Sequence, residues 1–300
     1  MRVANEPVHR SIRLTASAAR TALRAGCRDW PRLVLVAALL AVYAPVLWES
    51  GRIWLTEEYN THGVLIFPLA GLLLWWRRHE IARCRKQSNG WGFAPLVGGL
   101  LLQMVAWYAG IRVLAMLSLV PVLLGLALLF GGSRMTRILL FPILFLGFAA
   151  PIPIWIIHPV SLPIQNLSCR AACWSVQQMG VPVSPEGFKL TLANGSVLEV
   201  AQECSGFKKT VTLSVFACFY ASLFALPLWR QGLLVACAAP LAMLANVARV
   251  MALLLIANIW GTRAVQGLHD MADPLVVALS FLMLMGIGKA LGCRKLRYSV

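Results

Sequence analysis

Eight apolar runs fill most of this sequence, at about residues 32–48, 62–76, 91–109, 113–130, 138–157, 207–227, 232–259 and 274–291. A helix needs roughly 20 predominantly apolar residues to cross the hydrocarbon core of a bilayer. Water cannot be kept from that many runs by one globular core. The chain is 59% hydrophobic and 13% charged, which places it outside the soluble range. The expected fold is an all-α polytopic membrane protein with about eight transmembrane helices. Gly and Pro inside several runs are compatible with this, because neighbouring helices can satisfy freed backbone groups.

The formal charge of +16 comes without a basic stripe interleaved with aromatics, which argues against nucleic acid as a partner. Lys and Arg instead cluster between the apolar runs, the pattern that orients membrane proteins. With the N-terminus in the cytoplasm and one crossing per run, 19 of the 27 basic residues fall on the cytoplasmic side, against only Glu6, Asp29 and Glu80. The other side holds eight basic and eight acidic residues. Both termini are therefore expected in the cytoplasm. A basic segment over 1–31 precedes one membrane domain over 32–293. No small-residue cleavage site follows the first run, so this segment reads as a retained signal-anchor.

The longest connection, 158–206, then lies outside. Val160, Ile164, Leu167, Ala171 and Trp174 recur at helical spacing, as in an amphipathic helix lying in the interface. In FKLTLANGSVLEV, Asn194-Gly195 joins two β-type runs as a hairpin, and a two-residue loop would set Leu190 opposite Glu199. The eight cysteines contain no Cys-x-x-Cys, and most lie in or beside apolar runs, which supports neither a disulfide framework nor a zinc site. Cys169 and Cys173 share a helix face without meeting disulfide geometry.

The second hairpin strand feeds into ECSGFKKT, where Glu203, Cys204, Ser205, Lys208 and Lys209 stand at the outer mouth of the sixth run. Gly206 permits close backbone approach. A helix starting here would aim free N–H groups at the thiol, and the lysines would add to that, favouring thiolate. The competing reading is an ordinary interfacial cysteine with snorkelling lysines. In the seventh run, ANVARV sets Asn246 and Arg249 on one helical face. An intramembrane arginine marks either a functional group or a structural ion pair, and no acid lies within the runs themselves. His269, in GLHDMADP, is either a solvated loop residue or the proton shuttle that a nucleophilic cysteine needs. Asp270 or Asp273 could orient it. His62 and His158, at the outer ends of the second and fifth runs, compete for the same role.

Taken together, ECSG, NVAR and His269, in that order on the last three runs, resemble the exosortase/archaeosortase family. EYNTHGVLIFP at 58–68, FPILFLGFAAPIP at 141–153 and GVPVSPEGF followed by the Asn-Gly hairpin are similar to family segments, so the likeness covers roughly 30–291. The resemblance implies a cysteine protease-transpeptidase of a bacterial inner membrane, with its active site at the outer (periplasmic) face. Its substrates would be membrane-anchored proteins whose C-terminal sorting signal comprises a short motif such as Pro-Glu-Pro, a transmembrane helix and a basic tail. It implies Cys204 as nucleophile, Arg249 as transition-state stabiliser and His269 as acid/base, with no metal or organic cofactor. Glu203, Ser205, Gly206, Lys208, Asn246, His62 and Asp270 would support them. Polysaccharide-biosynthesis proteins would be further partners. Phe207-Lys208 departs from the aliphatic and Arg or other polar pair common after Cys-Ser-Gly, which points to a subtype. The rival readings are a transporter or channel with Arg249 and Asn246 lining a path, and a non-catalytic component of polysaccharide export.

Overall fold

A computed structural model describes Trp30 and residues 34–85, 87–200 and 206–296, with the backbone alone over 266–273. The chain divides into two compact units, 1–49 and 50–300. Apart from Trp30, the basic segment 1–31 lies outside the described residues. Helix α1 (Val34–Thr56) runs through the division. The second unit continues with α2 (Gly63–Trp76), α3 (Arg78–Arg83), α4 (Phe93–Ala109), α5 (Arg112–Leu117), α6 (Leu119–Phe145) and α7 (Ile154–Gln178). Strands β1 (Val183–Glu186), β2 (Lys189–Leu192) and β3 (Val197–Glu199) follow, then α8 (Phe207–Leu223), α9 (Leu228–Trp260) and α10 (Thr262–Leu291).

Five described stretches are long and apolar enough to cross a membrane: Val34–Thr56, Gly90–Ala109, Arg112–Ala149, Leu228–Trp260 and Pro274–Leu291. The polytopic helical fold stands, with five qualifying stretches among the described residues where eight runs were expected. Helix α2, at 14 residues, is short for a full crossing, and α8, at 17, is at the lower limit. The fourth run and the first part of the fifth, up to Ala149, lie within one 38-residue stretch. That stretch is interrupted at Gly132 (φ 77°, ψ 179°), where a Cβ would stand 2.0 Å from the Gln87 carbonyl oxygen. Only glycine fits there. The outward surface is what lipid requires: Val97, Leu101, Met104, Val105 and Trp107 of α4 are all exposed.

Small residues bring the membrane helices together. A Cβ on Gly99 would meet Val122 N at 2.9 Å, and one on Gly125 would meet Leu96 N at 2.6 Å, so α4 and α6 approach backbone to backbone. Buried Ser118 donates to Gln103 Oε1 across the same pair of helices (2.9 Å).

The predicted fifth run breaks at the 150–153 segment, and α7 begins at Ile154, earlier than the expected 160. Pro151 and Pro153 stop the helix because neither has an N–H to donate. Hydropathy could not register this, since both residues sit inside an apolar run. Along α7 the expected stripe does face outward at Val160, Leu167 and Trp174. The inward face instead carries Ser161, Gln165, Ser168, Cys169, Ala172 and Cys173.

The hairpin forms with a corrected register. Leu190 pairs with Leu198, and Glu199 with Lys189, because the loop holds three residues and Gly195 takes φ 80°. This is the bulged alternative to a two-residue loop. β1, which the sequence reading did not include, pairs antiparallel with β2 to make a three-stranded sheet in the order β1-β2-β3. The hairpin tip sits on the C-terminal end of α9: Asn194 Nδ2 donates to the carbonyls of Ala257 (3.1 Å) and Asn258 (3.0 Å). The Ala257 carbonyl also accepts the Gly261 N–H that caps α9 (3.0 Å), so the tip reinforces the helix end. Beneath the sheet, Leu190, Leu192 and Val200 share a core with Cys169, Cys173 and Val176 of α7 and Val250, Leu253 and Leu254 of α9. A second core joins α8, the first half of α9 and the end of α10 around Leu213, Leu234, Leu241 and Leu284.

Candidate active site

Asn246 and Arg249 lie on the inward face of α9, in the stretch between the α9 residues of the two cores. Asn246 is fully buried and Arg249 is 4% exposed. The shared helical face read from ANVARV is therefore real. Opposite Asn246 is the start of α8. Gly206 precedes the helix with φ 88°, in the left-handed region, and a Cβ there would lie 3.1 Å from both Cβ and Cγ of Asn246. Glycine is required twice over, by its backbone conformation and by close packing. Thr210 then closes the first turn, its N–H donating to the Gly206 carbonyl (2.9 Å). The helix thus begins at the expected place, three residues after Cys204.

The two lysines diverge. Lys209 is 8% exposed, and its ammonium donates to Asn246 Oδ1 at 3.1 Å. Lys208 is 30% exposed and stands 3.9 Å from the carboxylate of Glu58, a loose surface pair. Lys209 is thus the lysine built into the site, although the sequence reading gave the supporting role to Lys208. Both line a cavity of about 160 Å³ between α8, α9 and α10, with Thr61, Thr212, Ser280 and Phe281.

The family-like segments around 58–68 and 141–153 come together beside α8. Asn60, which the sequence reading did not single out, accepts from the Ile152 N–H (2.7 Å) and donates through Nδ2 to the Ile152 carbonyl (3.4 Å). Trp54 Nε1 donates to the Ala149 carbonyl (3.0 Å), and the Tyr59 ring lies 6.2 Å from that of Phe207. His62 precedes α2, outside the five spans. It is buried there, hydrogen-bonded to the backbone of Phe148 and Tyr59, and burial pushes its pKa below the usual histidine value. That environment suits a structural imidazole tying the two segments. His158 is exposed on α7.

Gln165, also missed, donates to the Val200 carbonyl at 2.6 Å from the buried face of α7. The Val200 N–H donates to the Phe188 carbonyl (2.9 Å). Sheet and helix therefore fix the chain just before the nucleophile candidate. Glu203, Cys204 and Ser205 lie outside the described residues. His269 and Asp270 fall within helix α10, which starts at Thr262; the loop expected before the eighth run is helical instead. Pro274, read as the start of the span, is accommodated inside the helix, and the side chains over 266–273 are outside the described residues. Six cysteines are free among the described residues, four of them buried: Cys84, Cys169, Cys173 and Cys293. Burial raises the Cys173 thiol above its ordinary value, as expected of an inert filler. Among the described residues, no three His, Cys, Asp or Glu side chains cluster as metal ligands would.

Apolar helices with outward-facing hydrophobic side chains, a three-stranded sheet seated on α9 and two buried cations with an asparagine between α8 and α9 define a polytopic membrane protein with an internal polar site. Residues 54–286 match the family model described as transmembrane exosortase. The chain belongs to the transmembrane exosortase family. No curated protein and no solved structure matches it significantly.

Proposed function

We propose that this protein is a cysteine peptidase-transpeptidase that processes C-terminal sorting signals at the outer face of a bacterial inner membrane. The observation that carries the reading is the buried group at the start of α8: Gly206 packed on Asn246, Lys209 bonded to Asn246, and Arg249 one turn along the same face of α9. Cys204 is joined to that group by two peptide units, so the covalent chain keeps it near. Fixed positive charge in a poorly solvated site favours a thiolate and an oxyanion far more than it would in water.

The thiolate sulfur of Cys204 attacks the scissile carbonyl carbon, and the carbonyl oxygen takes up negative charge opposite Arg249. Collapse breaks the C–N bond, the leaving amine takes a proton from His269, and a thioester remains. An acceptor amine or hydroxyl, giving up its proton to the neutral imidazole, attacks the thioester and expels the Cys204 thiolate, which restores the starting thiolate–imidazolium pair. With a nucleophile other than water the product is a new acyl linkage. The substrates on this reading carry a short motif such as Pro-Glu-Pro, a transmembrane helix and a basic tail. The helix docks among the spans and presents the motif beside Cys204. Proteins of polysaccharide biosynthesis are further partners on the same reading.

The test is co-expression of the protein with a membrane-anchored substrate bearing such a signal, followed by processing on immunoblots. Wild type should shorten the substrate, and Cys204→Ala should leave it full length while inserting at normal levels. Processing by Cys204→Ala at the wild-type rate would end the proposal.

A further inference from the structure

Far along the chain from this site, α2 ends in Trp75-Trp76 and runs directly into Arg77 and α3. The part of α6 after the break at Gly132 brings Arg134 and Arg137, three residues apart, to the same place. A cavity of about 500 Å³ opens there, lined by Arg77, Glu80, Arg83, Arg134, Arg137 and Ile138 among others. Four guanidiniums thus face one carboxylate. Arg77 is 5% exposed and donates to the Ile138 carbonyl, so one wall of the cavity is a fixed cation. Arg83, Arg134 and Arg137 are exposed, and none of the three has an ion-pair partner among the described residues.

The break in α6 lies two residues before Arg134, at the edge of this cavity. With no Cβ at Gly132, the Gln87 backbone can close on it, and the Gln87 N–H donates to the Gly131 carbonyl (3.4 Å). That ties the segment after α3 to α6. Converging like charges raises the energy of the empty site, and a multivalent anion relieves it. Arginine forks match phosphate oxygens two at a time. The level of the cavity is marked by exposed aromatics: Trp75, with the Arg78 guanidinium 4.2 Å from its ring centroid, and Trp91. Such residues sit at the headgroup layer of a bilayer.

We propose that this cleft binds the phosphate headgroup of an anionic phospholipid. Arg134, Arg137 and Arg83 hold the phosphate oxygens against the fixed charge of Arg77. The acyl chains run along the exposed apolar sides of the neighbouring helices. A basic peptide is repelled by the same charges.

The full-length protein in nanodiscs, with neutral phosphatidylcholine alone or with phosphatidylglycerol or cardiolipin added, provides the test. Lipid retention is read by native mass spectrometry. The variant Arg83→Gln/Arg134→Gln/Arg137→Gln is compared with Arg52→Gln/Arg263→Gln/Arg294→Gln, which removes the same charge elsewhere. Wild type and the second variant should retain anionic lipid. The first should lose it by roughly 100-fold, taking each basic group near a membrane surface at about fivefold. Equal retention by both variants would overturn the site. Inorganic phosphate or diphosphate that binds in neutral nanodiscs through the same three arginines, with no preference for anionic lipid, would overturn the lipid and leave a soluble phosphate compound as the ligand.

Discussion

Lys208 and Lys209 are neighbours in the chain, yet they differ in consequence. About 100° of helical turn separates them, enough to send one toward Glu58 and the other onto Asn246. Nothing in FKKT tells which faces inward, because the residues that follow are apolar on every side of α8. The sequence could name the pair but not choose between them. The structure predicts that Lys209→Met lowers processing by on the order of tenfold or more, short of the 10²–10³ typical of a direct oxyanion donor. Lys208→Met should change it by less than about threefold, the weight of an exposed ion pair. Initial rates on one substrate compare them. Asn246→Leu removes the acceptor from a buried ammonium and should destabilise the protein by about 1.5–3 kcal/mol. A lower midpoint of thermal unfolding in detergent would report this.

Elements were legible where their signals were local. ANVARV gave the face of α9 that carries Asn246 and Arg249, and the gap between the fourth and fifth runs, at 131–137, contains the break of α6 at Gly132. Two other signals misled. Asn194-Gly195 opens both a two-residue and a bulged hairpin, so the register was settled only by packing Leu190 under the sheet. The 150–153 segment, being apolar, looked like the continuation of a span. It is held instead by Asn60, a single side chain more than ninety residues away that no local pattern connects to Ile152. Asn60→Leu, deprived of both bonds to Ile152, should lose about 1–3 kcal/mol. It should also raise proteolysis within 146–153, as read by limited digestion and mass mapping. At the α4–α6 contact, Gly125→Val forces a side chain to within 2.6 Å of the Leu96 backbone nitrogen. The helices must separate, so this variant should express poorly while Gly98→Val, in open space, should not.

For the whole molecule, the sheet and the arginine cavity belong to different sets of elements. Hairpin, α7 and the C-terminal end of α9 share one core. Arg77, Arg134 and Arg137 share a cavity built from other elements. The orientation expected from the basic residues puts the hairpin outside and that cavity inside. A membrane-impermeant maleimide should then label Glu186→Cys in intact cells and label Ser133→Cys only after lysis. Beyond orientation, composition told that the chain lives in a membrane, and one short motif told that Asn246 and Arg249 share a face of α9. Composition and motifs could not foresee that buried Lys209 and Gln165 frame the segment carrying Cys204, because both contacts join residues at least 35 positions apart.

The most direct measurement is of the bond that the mechanism requires. Purified protein incubated with a synthetic sorting-signal substrate and quenched in acid should gain the mass of the acyl fragment. Peptide mapping should place it on Cys204, and neutral hydroxylamine should remove it as expected of a thioester. An acyl adduct on a different residue, or a cleaved substrate with Cys204→Ala as active as wild type, would contradict a cysteine nucleophile at the start of α8.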